Sequence, residues 1–335
     1  MISLANKSRE KTIIAFLKNN DLHKYKLRKI KQDASSRKYY RIESKNLLLM
    51  DSISKENKNE EFIKISQYLN NFNFSAPKVI LKNHNKGLYI IEDFGMLTFR
   101  NAIKNNIDEK TLYLNAIRML VKLHNCNTLP NVPKYNFNSL LKELNIFTDW
   151  YFKEINYKLN DNAIVKWNEL WRKALKNIYE NNNILVLRDF HADNLFWLPK
   201  KNKYQKIGVI DFQDAVIGNI TYDISSLLED VRRKVSPNTK KAALEEFIKL
   251  KNINDIDSFY KNYFIITAQR NAKIAGIFVR LARRDNKIKY LKLVNNAMNI
   301  FIRSLIKANQ NELLDWIDLN VPTKKLNLMA NKNGK

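Results

Sequence analysis

Apolar residues recur along this chain with two periods, and the change between them divides it. Over residues 6–20, Ile13, Ile14, Phe16 and Leu17 fall on or near one face of a helix. Residues 26–30, 37–42 and 47–50 are instead short strand-like segments separated by polar turns, which predicts an antiparallel meander. A helix over 58–71 places Phe62, Ile65 and Leu69 on one stripe, with Glu60 and Glu61 at its positive end. Ala76-Pro77 breaks the chain, and strands resume over 79–81 and 87–91. From Thr98 the helical period dominates, over 112–124, 140–151 and 164–179, then 240–250, 256–281 and 287–307. The pattern predicts an α+β chain of two lobes. A small antiparallel-sheet lobe spans 1–95, a larger helical lobe spans 96–322, and a basic tail covers 323–335.

One β stretch interrupts the helical half, over 184–223. The apolar run 184–187 leads into Arg188-Asp189, a short strand 195–198 follows Asn194, and the run 207–210 ends in Asp211. A strand-loop-strand hairpin here is expected to bring Asp189, Asn194 and Asp211 to one mouth. Oxygen donors of this kind suit Mg²⁺, which takes one or two carboxylates and fills its other positions with water and phosphate oxygens. A further carboxylate is then available to accept a proton from an attacking hydroxyl. The competing reading, acidic turn residues between core strands, leaves the crowding of Asp189, His191, Asp193 and Asn194 without a reason.

Composition narrows the partners. With 335 residues and 45% apolar content, the chain can bury a core and is not disordered. The formal charge of +26 allows a nucleic-acid reading, but the lysines are spread along the chain with no dense block, so nucleic acid is not the expected partner. No apolar run reaches the length of a membrane span. The first residues lack a signal peptide's apolar core, and one cysteine, Cys126, fits a reducing compartment; the expectation is cytoplasmic. The four histidines are scattered, against a zinc cluster, and no obligate protein partner is evident. Neither glycine fingerprint for phosphate binding occurs. Ala34-Ser35-Ser36 is small enough to cradle a phosphate with backbone N–H groups and hydroxyls, and equally fits an ordinary hairpin turn. Glu92-Asp93-Phe94-Gly95 precedes the β stretch, so it reads as a hinge whose backbone meets an adenine, with Glu92 and Phe94 beside it.

Arg188-Asp189 and Asn194 keep the R-D-x-x-x-x-N spacing of a protein-kinase catalytic loop, and Asp211 sits where a second metal-binding Asp follows. On these residues the chain resembles the aminoglycoside phosphotransferase and choline kinase family, a branch of the protein-kinase-like fold. Ala34-Ser35-Ser36-Arg37, Leu49-Met50-Asp51, Leu123-His124, Asp211-Phe212-Gln213-Asp214-Ala215, Tyr222-Asp223 and Gln269-Arg270 carry the likeness further. Of these, Ala34-Ser35-Ser36-Arg37 and Asp211-Phe212-Gln213-Asp214-Ala215 point to its bacterial cell-wall branch, kinases of the anomeric hydroxyl of N-acetylmuramate and N-acetylglucosamine. The resemblance covers roughly residues 10–310 and implies ATP as donor, Mg²⁺ as cofactor and a small sugar as acceptor. It implies Asp189 as catalytic base and Asn194 and Asp211 as Mg²⁺ ligands. Ser35, Ser36, Arg37, Arg41, Glu92 and Phe94 become the candidates for nucleotide contact, and Asp230, Gln269 and Arg270 those for the acceptor. Three positions depart from the kinase pattern. Leu187 replaces a histidine, Gln213 replaces a glycine, and Asp51 stands at the strand end where a phosphate-pairing lysine is expected. Arg37, Lys38 and Arg41 are the candidate substitutes for that charge. An aminoglycoside or choline kinase, and a non-catalytic nucleotide-binding module, remain the rival readings.

Overall fold

The structure, a computed structural model, describes residues 4–30, 37–53 and 58–321. The chain divides into two units, one of residues 1–106 with 193–214, the other of 107–192 with 215–335. The first unit therefore takes in a segment that lies well inside the second half of the chain.

The first unit is built on helix α1 (Leu4–Lys18) and strands β1 (Leu27–Lys29), β2 (Lys38–Ile42) and β3 (Leu47–Asp51). Helix α2 (Asn59–Asn71), strands β4 (Val79–Asn83) and β5 (Leu88–Glu92), and the short helix α3 (Phe99–Lys104) follow. The strands form an antiparallel sheet in the order β1-β2-β3-β5-β4, the meander that the alternation predicted, with β5 inserted between β3 and β4. Ile13, Phe16 and Leu17 of α1 close one face over Ile42, Leu49, Leu88 and Ile90. Burial of such side chains contributes about 1.5–3 kcal/mol each and fixes the register, because a one-residue slip would move the strand residues to the opposite face of the sheet.

In the second unit α4 (Glu109–His124) and α5 (Phe137–Ile146) lead through a π-helical turn, Phe147–Tyr151, into α6 (Phe152–Glu154) and α7 (Asp161–Glu180). The predicted helix over 140–151 is thus α-helical only to Ile146. The β stretch splits into two sheets rather than one hairpin. Strand β6 (Ile184–Val186) pairs with β9 (Val216–Gly218) in the second unit. Strand β7 (Leu195–Trp197) pairs with β8 (Ile207–Val209) in the first, where Val209 N donates to Ser75 O at 2.9 Å and Trp197 N to Leu97 O at 2.8 Å. Helices α8 (Thr221–Leu228), α9 (Pro237–Lys251), α10 (Ile256–Arg283), α11 (Val294–Lys307) and α12 (Asn311–Asn320) complete the chain. Most side chains of α10 are buried, so its apolar stripe is too wide for a surface helix and it forms the axis of this unit. Among the described residues, no helix is long and apolar enough to cross a membrane.

Gly276 lets α10 lie against the π-helical turn. A Cβ at that position would stand 2.6 Å from the Ile146 carbonyl carbon and 2.8 Å from Phe147 Cα, both backbone atoms that cannot rotate away. Gly276→Ala is expected to destabilise the fold by about 1–3 kcal/mol through overpacking, despite alanine's better helix propensity. A lowered urea midpoint at unchanged slope checks it; an unchanged or raised midpoint would show that the contact can relax.

Candidate active site

In the first unit the β7–β8 hairpin brings the backbone at two of the expected residues to one end. Asn194 directly precedes β7, and Ile210 N donates to its carbonyl at 3.1 Å, so the chain leaves the hairpin beside it. The next residue, Asp211, is exposed and takes the left-handed conformation at φ 63°, which aspartate tolerates better than most residues and which ends the strand. Phe212 then turns inward and stacks on Phe62 of α2, ring centroids 5.2 Å apart at 10°. Gln213 Nε2 donates to Asp211 Oδ1 at 2.9 Å, while its Oε1 accepts from Arg37 Nη1, also at 2.9 Å. Arg37 is buried, with its guanidinium 5.2 Å from the Phe62 ring centroid. Burial pushes the neighbouring Tyr39 hydroxyl upward, with the Arg37 and Asp211 charges acting on it in opposite directions. Lys58 Nζ pairs with Asp214 at 2.6 Å, and Arg100 forks onto Asp193.

The other nucleotide candidates are divided. Arg41 grips the Asp93 carboxylate and donates to Gly95 O at 2.8 Å, which makes it a clamp on the 93–95 segment. Asp51, at the end of β3, accepts from Arg9 at 2.6 Å, so the residue in the lysine's place is neutralised from α1. Glu92 faces Lys201 at 3.4 Å. Phe94 lies half-buried over Gly208, where a Cβ would come within 2.7 Å of its ring, and meets Phe196 edge-on. Ser35 and Ser36 lie outside the described residues.

In the second unit Asp189 follows β6 on a loop whose backbone is held at every step. Both oxygens of the buried Asp223 accept from the main chain, from Leu187 N at 2.6 Å and Arg188 N at 2.8 Å. Arg188 takes φ 70° between them. Its carbonyl accepts from Ser226 Oγ at 3.1 Å, and Arg270 Nη2 donates to that hydroxyl at 2.6 Å. Burial pushes the Asp223 carboxyl up to about 7, against the pull of the two N–H donors and Arg270, with the Asp189 charge adding to the rise. The Arg188 side chain turns to Glu143 of α5, which also takes Lys273 at 3.1 Å, Gln269 Nε2 at 3.3 Å and the Tyr135 hydroxyl. Burial alone would raise Glu143, but Lys273 and Arg188 outweigh it and hold the carboxyl down at about 2.

A model of the phosphotransferase enzyme family matches residues 26–253, more than half of the chain. The chain belongs to that family. As a phosphotransferase it is similar to the N-acetylmuramate/N-acetylglucosamine kinase of Caulobacter vibrioides, at 30% identity over 79% of this chain and 76% of the relative. The same name is carried by a relative from Neisseria meningitidis, 29% identical over 81% of this chain and 83% of the relative. Among solved structures, a choline/ethanolamine kinase family protein from Mesorhizobium loti matches with TM-score 0.62 at 12% identity, covering 95% of this chain and 100% of its own. The GDP complex of aminoglycoside 2'-phosphotransferase-IIIa matches with TM-score 0.62 at 14% identity, covering 91% and 99%. The protein-kinase-like fold and the family read from the motifs are thereby borne out.

For the phosphotransferase site, one expectation changes. Asp189 does not share a hairpin with Asn194 and Asp211, because β6 pairs with β9; it precedes Asn194 by five positions along the chain. The acceptor candidates separate too. Gln269 is fully buried against Glu143 and the Leu140 carbonyl, and Arg270 lies over the Tyr222 ring beside Ser226. Both brace the Asp189 loop from behind. Asp230 is also buried; one oxygen accepts from Arg232 N at 2.9 Å and the other has no hydrogen-bond partner among the described residues. Glu143 escaped the sequence reading. The one available signal was an acid between Leu140 and Leu144 on an otherwise apolar face.

The depressed Glu143 carboxyl has a stability consequence. Its folded pKa of about 2 lies below the ordinary 4.5, so its contribution is present above about pH 4.5 and is lost as pH falls towards 2. Glu143→Gln is expected to lose about 3 kcal/mol at pH 7, since Lys273 and Arg188 stay buried without their anion. The gap to wild type should narrow below about pH 4.5. Denaturant unfolding at stepped pH measures this, and a gap that stays constant down to pH 3 would remove Glu143 as the titrating group.

Proposed function

We propose that this phosphotransferase moves the γ-phosphoryl group of ATP, presented with Mg²⁺, to a hydroxyl of a small sugar. The acceptor is an N-acetylated amino sugar of the N-acetylmuramate or N-acetylglucosamine type, phosphorylated at its anomeric carbon. The observation that carries this reading is the place of Asn194 and Asp211 at the open end of one hairpin, where Ile210 N donates to the Asn194 carbonyl, with Asp189 five positions upstream on a braced loop. The name shared by four relatives at 26–30% identity supports the acceptor class.

The residues fit the cofactor. An amide oxygen and an exposed carboxylate lie at adjacent ends of β7 and β8, a sparse oxygen set. Among the described residues no three His, Cys, Asp or Glu side chains gather into a protein-only metal cage. That set suits Mg²⁺, which keeps several water and phosphate ligands. When bound, the ion neutralises charge on the phosphates. Asp189 accepts the proton of the acceptor hydroxyl as its oxygen bonds to the γ-phosphorus, the bond to the β-phosphate oxygen breaks, and ADP departs. The Asp223 grip on the Leu187 and Arg188 N–H groups keeps Asp189 in place for that transfer. In this reading the adenine meets Phe94 and the 93–95 backbone that Arg41 clamps, and the first unit takes the nucleotide. The second unit takes the acceptor, with Asp230 as its hydroxyl-binding carboxylate. The reaction runs on soluble substrates in the cytoplasm.

The test is a turnover assay of purified protein with ATP, Mg²⁺ and a panel of N-acetylated amino sugars, choline and aminoglycosides. Formation of an acid-labile sugar 1-phosphate is expected. Phosphorylation of only an aminoglycoside or choline would overturn the acceptor, and ATP binding with no turnover on any acceptor would favour a non-catalytic nucleotide module. Asp189→Asn should lower kcat about 10²–10⁴-fold with nucleotide binding retained. Near-normal turnover by that variant would remove Asp189 as base.

A further inference from the structure

The charge and packing around Asp211 go beyond its role as a ligand. Three cations close to the nucleotide motifs are committed to other groups: Arg9 to Asp51, Arg41 to Asp93 and Gly95, and Lys58 to Asp214. Arg37 differs in what it holds. It lies almost wholly buried, 3% exposed, at the start of β2, where it is packed over Phe62 and donates to the side chain of Gln213 at 2.9 Å and to Lys58 O at 3.3 Å. Gln213 uses its other end to donate to Asp211 Oδ1 at 2.9 Å. A side-chain amide can accept from a guanidinium through its oxygen and donate to a carboxylate through its nitrogen at once. The backbone between them is pinned as well, because Phe212 stacks on the same Phe62 ring that lies under Arg37.

We infer that Gln213 and Arg37 are positioning residues that fix the Asp211 carboxylate for the divalent cation. This rests on the reading of Asp211 as a Mg²⁺ ligand. Arg37 anchors the amide of Gln213, the amide orients one carboxylate oxygen, and the left-handed turn at Asp211 is held in a single rotamer setting. Gln213 stands where the kinase pattern has a glycine, so a segment that a glycine would leave free to turn is tied to β2 and α2 instead. Partners that orient a metal ligand typically change metal affinity 10–100-fold when removed.

The experiment measures Mn²⁺ affinity by electron paramagnetic resonance, with and without ADP, for wild type, Gln213→Ala, Asp211→Asn and the double variant. Gln213→Ala is expected to weaken Mn²⁺ binding in the ADP complex by about tenfold or more. ADP affinity without metal should stay unchanged. In the Asp211→Asn background the same change should have little further effect, because the amide acts through that carboxylate. Arg37→Lys, which keeps the charge but loses the fork, should show a smaller loss of the same kind. Wild-type Mn²⁺ binding with an unaltered Gln213→Ala variant would overturn the inference alone, and so would additive losses in the double variant. Absence of Mn²⁺ binding to wild type with ADP would instead overturn the metal reading on which it rests.

Discussion

The grip of one buried carboxylate on two successive peptide N–H groups is the constraint that holds the Asp189 loop of the second unit. Asp223 accepts from Leu187 and Arg188 and lies where solvent cannot replace it. An acid so deeply buried is held up at about 7, yet both of its oxygens receive backbone donors, so the loop and the carboxyl depend on each other. The left-handed turn at Arg188 is the product of that grip. A strained residue of this kind persists only where its surroundings over-determine it, and here α8 and α10 supply the surroundings through Ser226 and Arg270. Arg188 in turn carries its charge inward to Glu143.

In the first unit the same problem is solved with arginine. Arg9, Arg41 and Arg100 each fork onto a carboxylate, and Arg37 onto an amide that is itself bonded to Asp211. A planar five-donor group suits this task, since it fixes direction as well as charge. The high positive charge of the chain is therefore not one surface property. Part of it is structural, tied to specific acids around the motifs, and much of the rest is lysine spread along the chain.

Much of the fold was legible because its signals are local. Alternation over 37–50 set an antiparallel meander, and the stripe Phe62, Ile65, Leu69 set α2. The motif Arg188-Asp189 to Asn194 with Asp211 beyond was legible because phosphoryl-transfer chemistry demands oxygen donors at fixed intervals. Pairing was not. The runs 184–187, 195–198 and 207–210 look alike as short apolar strands, and periodicity says nothing about which of them meet. Nor could it show that Glu143, on a helix forty-five residues before Arg188, receives the Arg188 guanidinium.

The residues by themselves determined the family and the two kinds of architecture, because each depends on side-chain type and spacing within a few turns of chain. Only the tertiary structure decided where the arginines go: Arg41 to the 93–95 segment, Arg9 to Asp51 and Arg37 to Gln213. It also showed that Gln269 and Arg270, named as acceptor candidates, are buried. The physical reason is that a long charged side chain is satisfied by whichever partner folding brings within about 3 Å, and chain distance places no limit on that choice.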